Sequence, residues 1–142
     1  MKTGKVIERI LLGWIPDNVC DPSRMVSKGF AEKICKLNQP WRKWPMPFFA
    51  DWICDEVARL LGVERARVRF NTAVNSWLDF QWGTDAFIVY RDASGHDHTV
   101  TFDLTIDPRK KDTKADFVVY IPVEYWSDDM LLSVARLTAQ RI

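Results

Sequence analysis

The sequence is short of the features that mark several large classes of protein. No apolar run approaches the ~20 residues that a bilayer-spanning helix needs. The start of the chain mixes Lys2, Lys5, Glu8 and Arg9 with apolar residues, so no secretory leader is expected there. Cysteine is scarce: Cys20, Cys35 and Cys54 are an odd number and lack metal-ligand spacing. That argues against a complete disulfide framework and for reduced, apolar thiols in a cytoplasmic protein. There is no glycine-rich phosphate loop, no internal repeat and no low-complexity tract. A surplus of one charge is missing too. Twenty lysines and arginines face 19 acids, for a formal net charge of +1. Any attraction for a polyanion must therefore come from a local basic patch.

What is present is an ordinary globular composition. The 142 residues fit one domain, and 47% apolar with 27% charged residues is enough to build a core without staples. Seven tryptophans is a high count. Their rings are expected in the core, with indole N–H groups reaching a partner.

Helical spacing of Val6, Ile7, Ile10 and Leu11 predicts a first helix over Thr3 to Leu12, ended by Gly13 and Pro16. A second is expected from Ser23 to Leu37, capped by Asp21 or Ser23, with an apolar stripe of Val26, Phe30, Ile34 and Leu37. Three prolines make residues 40–47 a fixed loop. A third helix runs from Pro47 to Leu61 on Phe49, Ile53, Val57 and Leu60, with Gly62 just past its end. Val68 and Phe70 suggest a short strand, and in residues 71–84 Trp77, Phe80 and Trp82 suggest a buried irregular stretch or a strand. Residues 86–90 and 99–106 read as strands joined by the turn sequence 92–97, a hairpin. A polar loop over 107–114, a buried strand at 117–121 and a last helix capped by Ser127 complete the chain. That helix carries Leu131, Val134, Ala135 and Thr138 on one side. The order implies a small mixed sheet flanked by helices.

The hairpin is the informative element. Centred near Ser94 and Gly95, it sets Asp85 opposite residue 103 or 104, and facing Cβ atoms are about 5 Å apart. Two carboxylates that close repel unless a positive charge sits between them. Mg²⁺ or Mn²⁺, which take hard oxygen ligands, would serve. Alternation puts Thr101 and Thr105 on the face of Asp103. The same spacing also allows a solvated outer face with Asp103 paired to a lysine. The turn His96-Asp97-His98 holds too few ligands for a transition-metal site.

Residues 83–88, the hairpin and Thr101-Phe102-Asp103-Leu104-Thr105 resemble the PD-(D/E)xK nuclease superfamily over roughly residues 47–142. The resemblance implies an α/β (α+β) fold with a restriction-endonuclease-like core. Its mixed sheet would have three to four strands with flanking helices, behind a helical N-terminal extension of residues 1–46. In this reading the two hairpin strands and the Phe117 strand match the core meander, and a fourth strand is absent. Carried over by position, Asp85 and Asp103 resemble the metal-binding acids, the Leu104 carbonyl the third protein ligand, and Glu56 the helix acid. The lysine expected two residues after the second acid is Thr105, so Lys110 or Lys111 would have to reach back to a phosphate. The implied activity is Mg²⁺- or Mn²⁺-dependent hydrolysis of DNA phosphodiester bonds, by a repair or junction nuclease or a phage or mobile-element product. The departure at Thr105 leaves open an inactive nuclease-fold module that binds DNA or a protein. DNA is the expected partner, a second copy of the chain another, and a membrane is not. Arg67 and Arg69, alternating with Arg65 along one strand face, are the expected backbone contacts. Arg42 and Lys43, between Trp41 and Trp44, either face a nucleic acid or ride on a loop that the tryptophans anchor.

Overall fold

A computed structural model of the chain describes residues 3–43, 45–121 and 128–142. Helix α1 spans Thr3–Leu12, as its spacing predicts, and α2 spans Lys28–Leu37. The start of α2 differs from the sequence reading. Ser27 is the cap, its hydroxyl accepting the Phe30 N–H. Asp21 instead accepts the Ser23 N–H and hydroxyl in a local turn, the competing bond such residues form outside helices. The buried face of α2 is Ala31 and Cys35, with Phe30 and Leu37 exposed. Val26 and Ile34 of the expected stripe pack half-buried against the same cluster.

Helix α3, Phe48–Leu61, follows Pro47 and stops at Gly62, which is left-handed at φ 67°. Phe49, Ile53 and Val57 are buried as expected, while Leu60 is 39% exposed. Strand β1 spans Val68–Thr72, and the stretch after it, read from Trp77, Phe80 and Trp82 as buried and irregular or as a strand, instead holds a short helix α4, Trp77–Trp82, capped by Ser76 and with Phe80 exposed. Strands β2, Ala86–Arg91, and β3, Asp97–Thr105, form the hairpin, followed by β4, Phe117–Tyr120, and helix α5, Asp128–Arg141. The expected Ser127 cap lies outside the described residues. Met130, Leu131, Val134, Ala135 and Thr138 of α5 are buried.

The result is a mixed α+β fold. The sheet order is β1-β2-β3-β4, antiparallel except for the parallel pair β3 and β4. The antiparallel meander is therefore β1 to β3. The sequence reading set it one strand late: the Phe117 strand does not continue the meander but lies parallel to its last strand. The short strand read from Val68 and Phe70 is β1, but which strands pair, and in which direction, is set between elements and not by the pattern along one of them.

Alternation divides the sheet's side chains between two helical layers. Phe70, Ala86, Ile88, Val100, Phe102, Leu104, Phe117 and Val119 pack with α3 and α5. Phe87 and Val89 pack with Ala31 and Cys35 of α2 and Trp77 and Leu78 of α4. Phe70, Phe87 and Phe102 are fully enclosed, each contributing about 1.5–3 kcal/mol by burial. The tryptophans are less buried than their number suggested. Trp77 is buried and gives its indole N–H to the Asp21 carbonyl, 2.6 Å away. Trp41 is half-buried against Phe70, and Trp14 is 44% exposed. An indole is large enough that one edge commonly stays at the surface. No described helix is long and apolar enough to cross a membrane.

Candidate functional site

Asp85 is held in place by backbone on both sides. Helix α4 starts at Ser76, whose hydroxyl accepts the Leu78 N–H, and ends at Gly83. Gly83 has φ 56°, a left-handed conformation that costs a residue with a Cβ more. It turns the chain into β2. Asp85 then gives its N–H to the Phe102 carbonyl at 3.0 Å, and its carbonyl accepts the Ala73 N–H at 2.8 Å. The hairpin pairs Arg91 with Asp97 and Ala86 with Phe102. One step further along, Asp85 faces Asp103, one of the two positions that the turn sequence allows.

Both carboxyls are buried, 3% and 5% exposed. Oδ2 of Asp85 accepts the Leu104 N–H at 2.7 Å. Burial, first of all, then the hydrogen bond shared with Asp103 and the charge of Glu8 and Asp103, push the Asp85 carboxyl up to about 10. The Leu104 N–H opposes these effects without overcoming them. Asp85 therefore keeps its proton near neutral pH.

The cation of the site comes from the loop after β3. Thr105 Oγ1 accepts the Asp107 N–H, Asp107 Oδ1 accepts the Arg109 N–H, and Lys110 donates its N–H to the Asp107 carbonyl. These side-chain turns fold the chain back. They bring Lys110 Nζ to 2.6 Å from Asp103 Oδ2, and this contact raises the lysine's pKa. Thr105 itself supplies no charge, and Lys111 is exposed and lines no part of the site.

Asp85, Asp103, Leu104, Thr105 and Lys110 line one cleft of about 570 Å³. Two further acids line it that the sequence reading did not select: Glu8 of α1 and Asp79 of α4. The caps Ser76 and Gly83 were legible signals for Asp79's helix. Nothing in the spacing of α1 pointed to Glu8, because which way that helix turns is settled by tertiary packing. Glu56 is not brought in. Its carboxylate pairs with Arg59 one turn on, and it does not line the cleft. Position 56 falls at the border of the α3 stripe, where the long side chain reaches water and a cation. Thr101 is on the expected face, but its N–H and hydroxyl are taken by Asp116.

Among the described residues no three His, Cys, Asp or Glu side chains form a metal-ligating group. Two carboxylates still suit Mg²⁺, which is commonly held by one or two with water and substrate phosphate completing the shell. Burial keeps Asp85 protonated even with Lys110 beside Asp103.

The basic residues gather elsewhere. Arg42, Arg67 and Arg69 line a pocket with Lys36 and Arg91. Lys43 is exposed and does not join them, and Trp44 is outside the described residues. The three arginines do not alternate along one strand: Arg65 and Arg67 lie in a 3-10 turn before β1, and Arg65 is held away from the pocket by Asp51 and Asp55 of α3. The histidine turn is closed on itself, with His98 on Asp92 at 2.9 Å and stacked on Tyr90.

No protein-family description, curated protein or solved structure matches the chain.

Proposed function

We propose that the cleft is the active site of a Mg²⁺- or Mn²⁺-dependent nuclease of the PD-(D/E)xK type, acting on DNA phosphodiester bonds. The observation that carries this is the buried Asp85–Asp103 pair at the end of the hairpin, facing a cleft and served by Lys110. The fold supports the reading through its order: helix α3, a three-stranded antiparallel meander, then β4 parallel to β3. The loop that joins β3 to β4 in place of a helix is a departure from that family's core.

The residues divide the work. Leu104 N–H fixes one oxygen of Asp85, leaving the other and the Asp103 carboxylate as the charged ligands. Asp85 must release its proton for both to ligate. A bound Mg²⁺ or Mn²⁺ supplies a water of lowered pKa and neutralises charge on phosphate oxygens. Lys110, 41% exposed in its side chain, is placed to leave Asp103 and hold a phosphate oxygen at the cleft mouth.

A second reading has its own observation. Lys110 already occupies the place of a cation on Asp103, and Thr105 stands where the family has lysine. That favours a nuclease-fold module that binds DNA or a protein without cutting.

Cleavage of plasmid and single-stranded DNA in Mg²⁺ or Mn²⁺, alongside a Mn²⁺ titration by paramagnetic resonance, decides between them. The nuclease reading expects Mn²⁺ uptake and cleavage, both lost in Asp85→Asn and Asp103→Asn. No Mn²⁺ uptake by the wild type, or undiminished cutting by both variants, would overturn it.

A further inference from the structure

At the other end of the sheet face that carries the acid pair, five cations meet. Asp85 and Asp103 form one cross-strand position, and Arg91 and Asp97 another, six residues along. An even separation keeps both on one face, about 20 Å apart at 3.3 Å per residue. Helices α2 and α4 cover the sheet between them. Around Arg91 lie Lys36 of α2, Arg42 of the 3-10 turn after it, Arg67, and Arg69 of β1, which together line a pocket of about 190 Å³.

One acid stands there against five cations. Asp97 is the one carboxylate lining the pocket. It is already held by Arg91 through two hydrogen bonds of 2.8 and 3.1 Å. Lys36 and Arg69 make no ion pair among the described residues. In a chain with a net charge of +1, four cations converging without a counter-charge is a costly local arrangement. An anion relieves that cost.

The donors are also arranged in advance. Arg42 is fixed by a 2.9 Å bond from Nη2 to the Lys36 carbonyl. Arg67 is fixed by bonds from Nη1 to the carbonyls of Arg91 and Asp92. Each anchoring uses one nitrogen and leaves the rest of the guanidinium fork for a ligand. Asn71 supplies a neutral polar group. It is 7% exposed and lines the pocket, and its amide bonds no other described residue.

We infer that Lys36, Arg42, Arg67, Arg69 and Asn71 form a phosphate-binding pocket, separate from the acid cleft. Guanidinium forks match the tetrahedral oxygens of a phosphate in pairs, and the volume holds one phosphate with little more than its first attachment. The phosphate is either carried on a nucleic acid backbone or free in solution. The pocket stands whether or not the acid pair cuts DNA.

Calorimetric titration with inorganic phosphate at low ionic strength tests it, together with anisotropy of a labelled single-stranded oligonucleotide across a salt series. Arg69→Ala and Lys36→Ala remove exposed or half-buried cations without opening the core. Lys33→Ala, an exposed cation of α2 outside the pocket, is the control. The inference expects phosphate binding by the wild type, weakened roughly tenfold or more by each pocket variant and unchanged in Lys33→Ala and Asp85→Asn. If oligonucleotide binding weakens in parallel, with a salt slope reduced by about 1 per cation removed, the pocket takes backbone phosphate. If phosphate binding falls and oligonucleotide binding does not, it takes the free ion. Absent phosphate binding in the wild type, or equal binding by all variants, overturns the inference.

Discussion

Lys110 Nζ lies 2.6 Å from Asp103 Oδ2, although the two residues are on either side of the strand end at Thr105. The turn bonds of Thr105 and Asp107 make that return. A lysine five residues beyond Thr105 in sequence thus stands beside the second acid in space. Its neighbour Lys111 does not.

The two lysines should therefore separate in a cleavage assay. With Lys110→Ala, DNA cleavage is expected to fall by a factor on the order of a hundred or more. Lys111→Ala is expected within about twofold of the parent. Equal losses would assign the effect to the loop's overall charge and remove Lys110 from the site.

Asp85 makes stability depend on pH in a definite direction. Its folded-state carboxyl is pushed up to about 10 from an ordinary 3.8, so the folded chain binds a proton that the unfolded chain gives up. That contribution is whole below pH 4 and is lost progressively as pH rises towards 10. Asp85→Asn keeps an acceptor for the Leu104 N–H and a donor for Asp103 without the ionisation. The variant should be more stable than the wild type at pH 8, by about 1 kcal/mol or more, and its urea midpoint should vary less between pH 5 and 9. A wild-type midpoint that rises over that range would contradict this account of the pair.

Gln39 serves the sheet edge as a substitute strand. Its Oε1 accepts the Thr72 N–H at 2.8 Å, and its Nε2 donates to the carbonyls of Thr72 and Cys35. The side chain is 6% exposed, so truncation strands buried backbone groups. Gln39→Ala is expected to cost about 2–3 kcal/mol in urea unfolding, with the m-value unchanged. A loss below about 0.5 kcal/mol would mean that water satisfies those groups as well.

The three thiols are free and buried. Burial pushes Cys35 and Cys54 up to about 12, and it raises Cys20 as well. Thiolate is the reactive form, so an aromatic disulfide reagent at pH 8 should label the native protein slowly and all three cysteines at once on unfolding. Rapid labelling of Cys35 or Cys54 in native conditions would show that their layers open.

The hairpin and the acid pair were legible in the sequence because both are local. The turn limits the register to Asp85 opposite 103 or 104, and the observed pairing selects Asp103. Helices α1 and α3 were legible for the same reason, through residues three and four apart with a glycine at the end. The start of α2 was not: Asp21 and Ser27 are both good caps, and the choice rests on which one the packed layers leave in line. Glu56 shows the limit most clearly. Its position near an apolar stripe fits a site or a surface pair equally; the pair with Arg59 is local to α3, and only the direction in which α3 faces the sheet keeps Glu56 out of the cleft. The tertiary structure likewise decided that Glu8 and Asp79 line the cleft, that Lys110 and not Lys111 returns to it, and that Arg65 leaves the company of Arg67 and Arg69. Each of these depends on distances between elements that loops connect, which side-chain spacing along one element does not encode.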